Sequence, residues 1–162
     1  MVSIVPILEK IERTDLSTAI REGGLPYPII GGIHLLAIAL FGGMVLITNL
    51  RLLGWGIERW RVSDVMQQLR AWKWAGFAVV TVTGLLLAWA EPIRLYRSPS
   101  FWIKMVLFAL LGAHAVVFRR DVYRNHVALD KRLTPKGRLA AASSMILWAG
   151  LVVSGRWIAF DD

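Results

Sequence analysis

The chain has 162 residues, of which 56% are hydrophobic and none is cysteine, so disulfides, thiolate metal sites and thiol catalysis are excluded. Its mean hydropathy of +0.55 exceeds that of soluble domains and predicts one integral membrane domain spanning residues 1–162. The formal net charge is +8, and the basic residues lie mostly between apolar stretches. We therefore interpret them as a signal of membrane topology and as a contact surface for membrane lipids, not for nucleic acid.

Residues 1–28 are predicted to form an amphipathic helical segment that lies along the membrane interface. Within it, a second short helix is predicted with Asp15 as its N-cap, Thr14 being the alternative. The pair Gly23–Gly24 is predicted to end this helix, because glycine readily adopts the conformations that terminate a helix. The segment therefore precedes the membrane spans and does not itself cross the membrane.

Four apolar stretches follow, and each is long enough to cross a hydrocarbon core of about 30 Å as a helix. They lie at about 29–53, 72–91, 101–119 and 138–160. Most tryptophans stand near the ends of these stretches, as interfacial anchors do, whereas Trp148 lies well inside the fourth. The sequence predicts an all-α fold, a four-transmembrane-helix bundle preceded by an amphipathic interfacial helix.

The distribution of basic residues predicts the orientation of the bundle. Of the 19 Lys and Arg residues, 12 fall within 51–73 and 119–138, and the other 7 lie on the opposite side. The positive-inside rule then predicts a multi-pass protein of the bacterial inner membrane with both termini periplasmic. The two cytoplasmic loops are long enough to form short polar helices or to dock a partner, and the role of the loop residue His126 stays open.

Two histidines interrupt the apolar spans, His34 in the first and His114 in the third. An ionisable side chain in a membrane helix is costly and usually faces the bundle interior. The faces that helical spacing predicts to point inward are His34, Ala37, Phe41, Met44 and Thr48 on the first span, and Lys104, Leu107, Leu111, His114 and Phe118 on the third. Beside the first face, Gly32, Ala39 and Gly43 form a small-residue stripe that is predicted to let another helix come close.

Two interpretations of the histidines stay open. In one, His34 and His114 are axial ligands of a haem b iron, and Lys104 and Arg156 bind its propionates. In the other, both imidazoles hydrogen-bond to Ser, Thr or backbone carbonyls between packed helices. The predicted heights of the two rings differ by about 10 Å, so a shared haem needs a tilted ring, or Met105 or water as the sixth ligand. Methionines near either imidazole leave a copper site as a further alternative.

Charged residues also gather at the periplasmic ends of the spans. Arg156 lies about one helical turn inside the fourth span, where a cation needs a carboxylate or water, and Glu91 is its predicted ion-pair partner, with Lys104 as the alternative partner of Glu91. Snorkelling towards the interface is the companion explanation for Lys104. The functional alternative is that Arg156 and Lys104 receive an anionic lipid or quinone headgroup beside His34.

Much of the chain resembles an uncharacterised family of small bacterial four-helix membrane proteins. The stretches that carry the resemblance are YPIIGGIHLLAIALFGG, NLRLLG, AGFAVVTVTGLLLAWAEP, SPSFWIKMVLFALLGAHAVVF and SSMILWAGLVVSGRWIAF. The family pattern is matched by His34, Arg51, Thr83–Gly84, Lys104 and Gly155–Trp157. More loosely, an early histidine in the first span resembles copper-resistance protein D and bacterial b-type cytochromes. The close resemblance implies the fold and assigns no activity.

Three functions of different classes remain. The sequence favours an accessory or structural subunit of a membrane complex or homo-oligomer, with no catalysis of its own. The alternatives are a haem b-binding electron-transfer or membrane-anchor subunit that uses His34, with or without His114, and a small transporter or copper-handling protein. No pair of carboxylates, nucleophile–base pair or phosphate-binding loop is recognisable, so enzyme chemistry is not predicted.

Overall fold

A computed structural model of the protein describes residues 4–55, 59–124, 126–130 and 133–161. Within these ranges all regular elements are helical, and four helices are long and apolar enough to cross a membrane. The predicted all-α class and the four spans are therefore confirmed. The position of the N-terminal segment along the interface stays a prediction.

Two short helices, α1 (Val5–Glu12) and α2 (Asp15–Glu22), precede the spans. The N-cap of α2 is Thr14 and not Asp15, because Thr14 is extended and its hydroxyl accepts a hydrogen bond from the Ser17 amide at 3.4 Å. Asp15 instead stands in the first turn, where a carboxylate interacts favourably with the helix dipole. The helix ends at Gly23–Gly24 as predicted, and Gly24 has a φ of 73° that favours glycine.

The remaining helices are α3 (Pro26–Leu53), α4 (Val62–Ala90), α5 (Pro92–Arg97), α6 (Pro99–Val117), α7 (His126–Leu129) and α8 (Pro135–Trp157). Four of them begin with proline, whose missing amide hydrogen costs nothing in a first helical turn. α4 begins at Val62, well before the predicted span of about 72–91, because the polar residues between them continue the helix. The helix contains that apolar stretch, and the bounds of the span stay a prediction.

The four long helices have two common ends. We call the end where α3 and α6 finish the loop end, and the end that carries α1, α2 and α5 the terminus end. α3 packs against both α4 and α8, and α6 packs mainly against α8. Between α4 and α6 the contact is slight, and Phe77 stacks on Phe108 with 6.2 Å between the ring centroids.

The inward faces predicted from helical spacing are confirmed. On α3, His34, Ala37 and Thr48 are buried. On α6, His114 is buried, and the other members of its predicted face are half-buried while the residues between them are exposed. Periodicity therefore located the side chains that face neighbouring helices.

Among the described residues, nothing packs onto the small-residue stripe of α3 at its two glycines. A Cβ added at Gly32 or Gly43 would meet no atom within 4 Å, and Ala39 is exposed. The glycine that admits a neighbour is Gly42, where an added Cβ would lie 2.5 Å from the indole Nε1 of Trp148. Trp148 is thus a packing residue between α8 and α3, which explains its position away from the interface.

The most deeply buried apolar core lies at the loop end. Its members are Leu52, Val62, Met66, Val122, Leu129, Ala140 and Ala141. Val122 belongs to a π-helical segment, Arg119–Arg124, and Leu129 belongs to α7, so the loop after α6 folds back into the core. The prediction that this loop forms short helices is confirmed. His126 begins α7, and its side chain lies outside the part that the structure describes.

Candidate functional site

His34 faces α4 from α3 and is 9% exposed. Its Nδ1 lies 2.8 Å from the hydroxyl oxygen of Thr83, and that hydroxyl donates its own hydrogen to the Val79 carbonyl at 2.6 Å. Because a hydroxyl has only one hydrogen and the Val79 carbonyl is its shortest contact, we assign the Thr83 oxygen as the acceptor and the ring proton to Nδ1. With this assignment Nε2 of neutral His34 is an acceptor, and the Val80 backbone is a further hydrogen-bond partner of the ring.

Two glycines shape the surroundings of His34. A Cβ added at Gly84 of α4 would lie 3.1 Å from His34 Cε1, so glycine lets the imidazole reach Thr83. A Cβ added at Gly155 of α8 would lie 3.7 Å from both Cε and Nζ of Lys104, so the lysine stem crosses α8 at this glycine. The charge of Lys104 also acts on His34. These five residues come from all four long helices, and we call them the terminus cluster.

The positive charge of Lys104 has no counter-charge within the cluster. Its ammonium forms no hydrogen bond or ion pair with any residue that the structure describes. The sequences of α3, α6 and α8 contain no Asp or Glu, and the carboxylate of α4 is Asp64 at the opposite end. A cation within an apolar bundle needs a partner, a water-filled space or access to the interface.

The ion pair predicted between Glu91 and Arg156 is not formed. The Glu91 carboxylate binds Arg94 at 3.0 Å and accepts a hydrogen bond from the Tyr27 hydroxyl at 3.2 Å. Arg156 is exposed, and its guanidinium lies 5.1 Å from the centroid of the Phe160 ring. Arg94 is held one helical turn from Glu91 along the chain, whereas Arg156 belongs to a separate helix, so the local pair forms instead.

His114 of α6 is 8% exposed and faces α8. Its Nε2 lies 3.0 Å from the Ala140 carbonyl oxygen and 3.0 Å from the Ser143 hydroxyl oxygen. A carbonyl can only accept, so Nε2 carries the proton of neutral His114. The ring also packs against Phe118 with 4.7 Å between centroids. His114 therefore links α6 to α8 through Nε2, whereas His34 links α3 to α4 through Nδ1.

The structure does not bring the two imidazoles together. His34 binds α4 towards the terminus end, and His114 binds α8 in the last turn of α6 at the loop end. Met105, the alternative sixth ligand, is 36% exposed on the outer face of α6. Among the described residues, no three His, Cys, Asp or Glu side chains are grouped so as to hold a metal ion. The side chains present therefore do not suit a bis-histidine haem.

Two further polar contacts between helices were missed from the sequence. Asn49 of α3 donates to the Ser144 hydroxyl of α8 at 3.1 Å, and Lys73 of α4 donates to the Thr48 hydroxyl of α3 at 3.2 Å. An isolated amide or ammonium within an apolar helix is the signal that indicates such a partner, although it does not identify the partner.

A carboxylate at the loop end caps the start of α4. Asp130 accepts from the Ser63 amide at 3.0 Å and from the Ser63 hydroxyl at 2.6 Å. Burial favours the neutral acid, but hydrogen bonds from Ser63 and the Val62 amide, with the Arg61 charge, together hold the pKa of Asp130 below its ordinary value. This cap connects the loop after α6 to a helix far from it in the sequence.

A second carboxylate caps α6 at the terminus end. Asp161 accepts from the Ser98 hydroxyl at 2.5 Å, the Ser100 amide at 2.9 Å and the Ser100 hydroxyl at 3.1 Å. The hydrogen bond from Ser98 is the largest cause of a lowered pKa of Asp161, and the Ser100 amide adds to it. Neither cap was predicted, because each partner is distant in the sequence.

Comparison with known proteins identifies a family and no characterised relative. A family model described as a family of unknown function (DUF6644) matches residues 16–161, which is most of the chain. No curated protein and no solved structure matches it. The matched range contains all four spans, both buried histidines and both capping carboxylates.

Proposed function

The chain belongs to the family of unknown function DUF6644, and we propose that it is a structural or accessory subunit of a membrane complex or homo-oligomer, without catalysis of its own. One observation supports this proposal: polar side chains inside the spans are used to join helices. The pairs are His34–Thr83, Lys73–Thr48, Asn49–Ser144 and His114–Ala140. Each links two different spans, as expected of a scaffold held by interhelical hydrogen bonds.

The outer surface of the bundle suits assembly within the membrane. In the most apolar 18-residue stretch of each long helix, only 6% to 33% of the residues are buried inside the protein. The rest of this apolar surface is left to lipid or to other membrane-embedded helices. An accessory subunit needs such faces, and it needs no reactive group of its own.

The absence of native cysteine allows a clean cross-linking test in membranes. Single cysteines replace Leu36, Leu85, Val106 or Ile146, each exposed on a different long helix. We expect oxidation to give a defined cross-linked species on one or two faces and none on the others. A monomer at every position in native membranes, with the protein folded, would contradict the proposal.

The finer location is also part of the proposal. From the excess of Lys and Arg at the loop end, we expect that end in the cytoplasm of a bacterial inner membrane and both termini in the periplasm. Cysteines at the exposed positions Glu9 and Gln68 test this in intact cells with a membrane-impermeant reagent. Labelling of Gln68→Cys without Glu9→Cys would reverse the orientation.

Haem b binding at His34 is a second candidate function. It is favoured by the Nδ1–H hydrogen bond to Thr83, because an axial imidazole ordinarily donates its other nitrogen in this way. His34 would hold the haem and Lys104 would bind a propionate, and the haem would supply electron transfer. A Soret band lost in His34→Ala and retained in His114→Ala would support this candidate. A colourless wild type expressed with haem would reject it.

A further inference from the structure

Independently of the proposed function, we propose that the terminus cluster binds the oxyanion headgroup of a membrane amphiphile, with the Lys104 ammonium donating to the headgroup oxygen. Lys104 is the starting point because it has no hydrogen bond or ion pair with any described residue. Three other cations of this end have partners: Arg94 binds Glu91, Arg21 binds Glu12 and Arg156 lies over Phe160. The remaining ones, Lys10, Arg13 and Arg97, are exposed, whereas Lys104 is half-buried. An oxyanion supplies the missing counter-charge.

The direction of Lys104 makes it reachable from the leaflet at the terminus end. Side chains of a helix lean towards its N-terminus, and α6 begins at that end. The stem of Lys104 accordingly runs over Gly155, which stands in the last turn of α8. Long cationic side chains of this kind keep the stem in apolar surroundings and place the ammonium near the headgroups. A headgroup can therefore reach the ammonium without entering the centre of the bundle.

His34 gives the cluster a second polar group. Because Nδ1 donates to Thr83, Nε2 of neutral His34 is an acceptor, and the charge of Lys104 acts on the same ring. A hydroxyl of a glycerol headgroup can donate to Nε2 while the phosphate oxygen accepts from Lys104. The cluster thus combines a cation with a hydrogen-bond acceptor, which matches an anionic headgroup that also carries a hydroxyl.

The surface around the cluster favours an amphiphile over a free ion. Phe108, one helical turn from Lys104 on α6, and Val152, one turn from Gly155 on α8, are exposed apolar residues. A free anion would lose hydration there with few compensating contacts, whereas an acyl chain gains by covering apolar surface. Oxyanions on phospholipids, on fatty acids and in solution share the same recognition chemistry, so the test includes all three.

The test uses the purified full chain in a neutral detergent, with binding followed by native mass spectrometry. The ligands are dioleoylphosphatidylglycerol, oleate and inorganic phosphate, with dioleoylphosphatidylcholine as the zwitterionic control. The variant Lys104→Met keeps an unbranched apolar side chain over Gly155 and removes the charge. Arg156→Met is the matched control, because it removes a neighbouring cation that already contacts Phe160.

We expect one phosphatidylglycerol or oleate per wild-type chain and a loss of affinity on the order of tenfold in Lys104→Met, with little change in Arg156→Met. Preference for phosphatidylglycerol identifies a phospholipid source, preference for oleate a fatty acid, and equal Lys104-dependent binding of inorganic phosphate a soluble oxyanion. Binding that is the same in Lys104→Met, or equal for phosphatidylcholine, overturns the site. If Lys104→Met does not fold, Lys104→Gln must show the same loss and Lys104→Arg must retain binding.

Discussion

The two ends of the bundle hold their polar groups in different ways. At the loop end, His114 donates Nε2 to the Ala140 carbonyl and lies beside the apolar core, while Asp130 caps α4. At the terminus end, His34 donates Nδ1 and leaves Nε2 open, and Lys104 lacks a partner among the described residues. The two imidazoles are almost equally buried, so burial alone does not distinguish a structural histidine from one available to a ligand.

This difference indicates a division of labour within one small bundle. The loop end combines the deepest apolar core with polar groups bonded within the protein, among them His114, Ser63 and Asp130. The terminus end keeps one acceptor and one cation unused, at a cost in stability that a ligand would recover. Four sets of variants test whether the loop end stabilises the fold and whether the terminus end holds the polar groups without a partner.

The largest effect is expected from the core of the loop end. Leu52 is fully buried in that core, so Leu52→Ala should lower the free energy of unfolding by about 2–5 kcal/mol through lost contacts and a cavity. Leu40→Ala on the same helix, where the side chain is exposed, should change it little. Thermal unfolding in detergent measures both. Equal effects of the two variants would remove the distinction between a stabilising core and an outer face.

The next largest loss of stability is expected from a substitution at Gly84, which makes room for the His34 imidazole. Gly84→Leu would force the imidazole away from Thr83, and overpacking together with the lost hydrogen bond should cost about 3 kcal/mol. Gly112→Leu on α6 is the control, because nothing lies within 4 Å of a Cβ built there. A normal melting temperature for Gly84→Leu would show that His34 does not depend on this glycine.

The two imidazoles should respond differently to loss of a hydroxyl partner. Thr83→Val leaves the His34 Nδ1–H without its acceptor and should cost about 1–2 kcal/mol, whereas His114 keeps the Ala140 carbonyl in Ser143→Ala and should lose less than about 1 kcal/mol. Nitrogen-15 spectra of the ring nitrogens should show the proton on Nδ1 of His34 and on Nε2 of His114. The same tautomer in both rings would be inconsistent with the described contacts.

The capping carboxylates should give the smallest effect. Asp130→Ala should lower stability at neutral pH by about 1 kcal/mol through loss of the cap. In the folded protein the pKa values of Asp130 and Asp161 lie below the ordinary value of about 3.9, so their stabilisation is present above that pH and is lost as pH falls through the lower folded pKa. Melting between pH 6 and pH 3 should therefore fall less steeply in Asp130→Ala than in wild type, and identical slopes would contradict the cap.

Much of the architecture could be predicted because hydrocarbon imposes strong constraints on a helix. Apolar length located the four spans, and helical spacing placed His34 and His114 on inward faces. Apolar length does not mark where a helix starts, and polar residues extend α4 back to Val62 ahead of its apolar stretch. Helical spacing assigned close packing to Gly32 and Gly43, although the neighbouring Gly42 is the glycine that receives Trp148.

The candidate site was predicted only in part, and the reason is the choice of partners. His34 and Lys104 were identified, and the structure places both in one cluster with Thr83. The Glu91–Arg156 pair was wrong, because Arg94 competes from the same local segment. The free energies of pairing a polar group with one partner or with another differ by about 1 kcal/mol. Composition and spacing cannot resolve so small a difference.

The sequence by itself determined that the protein has membrane-spanning helices, where they lie and which of their faces point inward. These features follow from hydropathy and from the 3.6-residue repeat. Only the tertiary structure decided which helices are neighbours and at what depth their side chains meet. In this arrangement His34 contacts Thr83 and His114 contacts Ala140. Asp130 and Asp161 cap helices that are distant from them in the sequence. The physical reason is that hydrogen bonds act over about 3 Å, so partner and tautomer depend on three-dimensional contacts that no local pattern specifies.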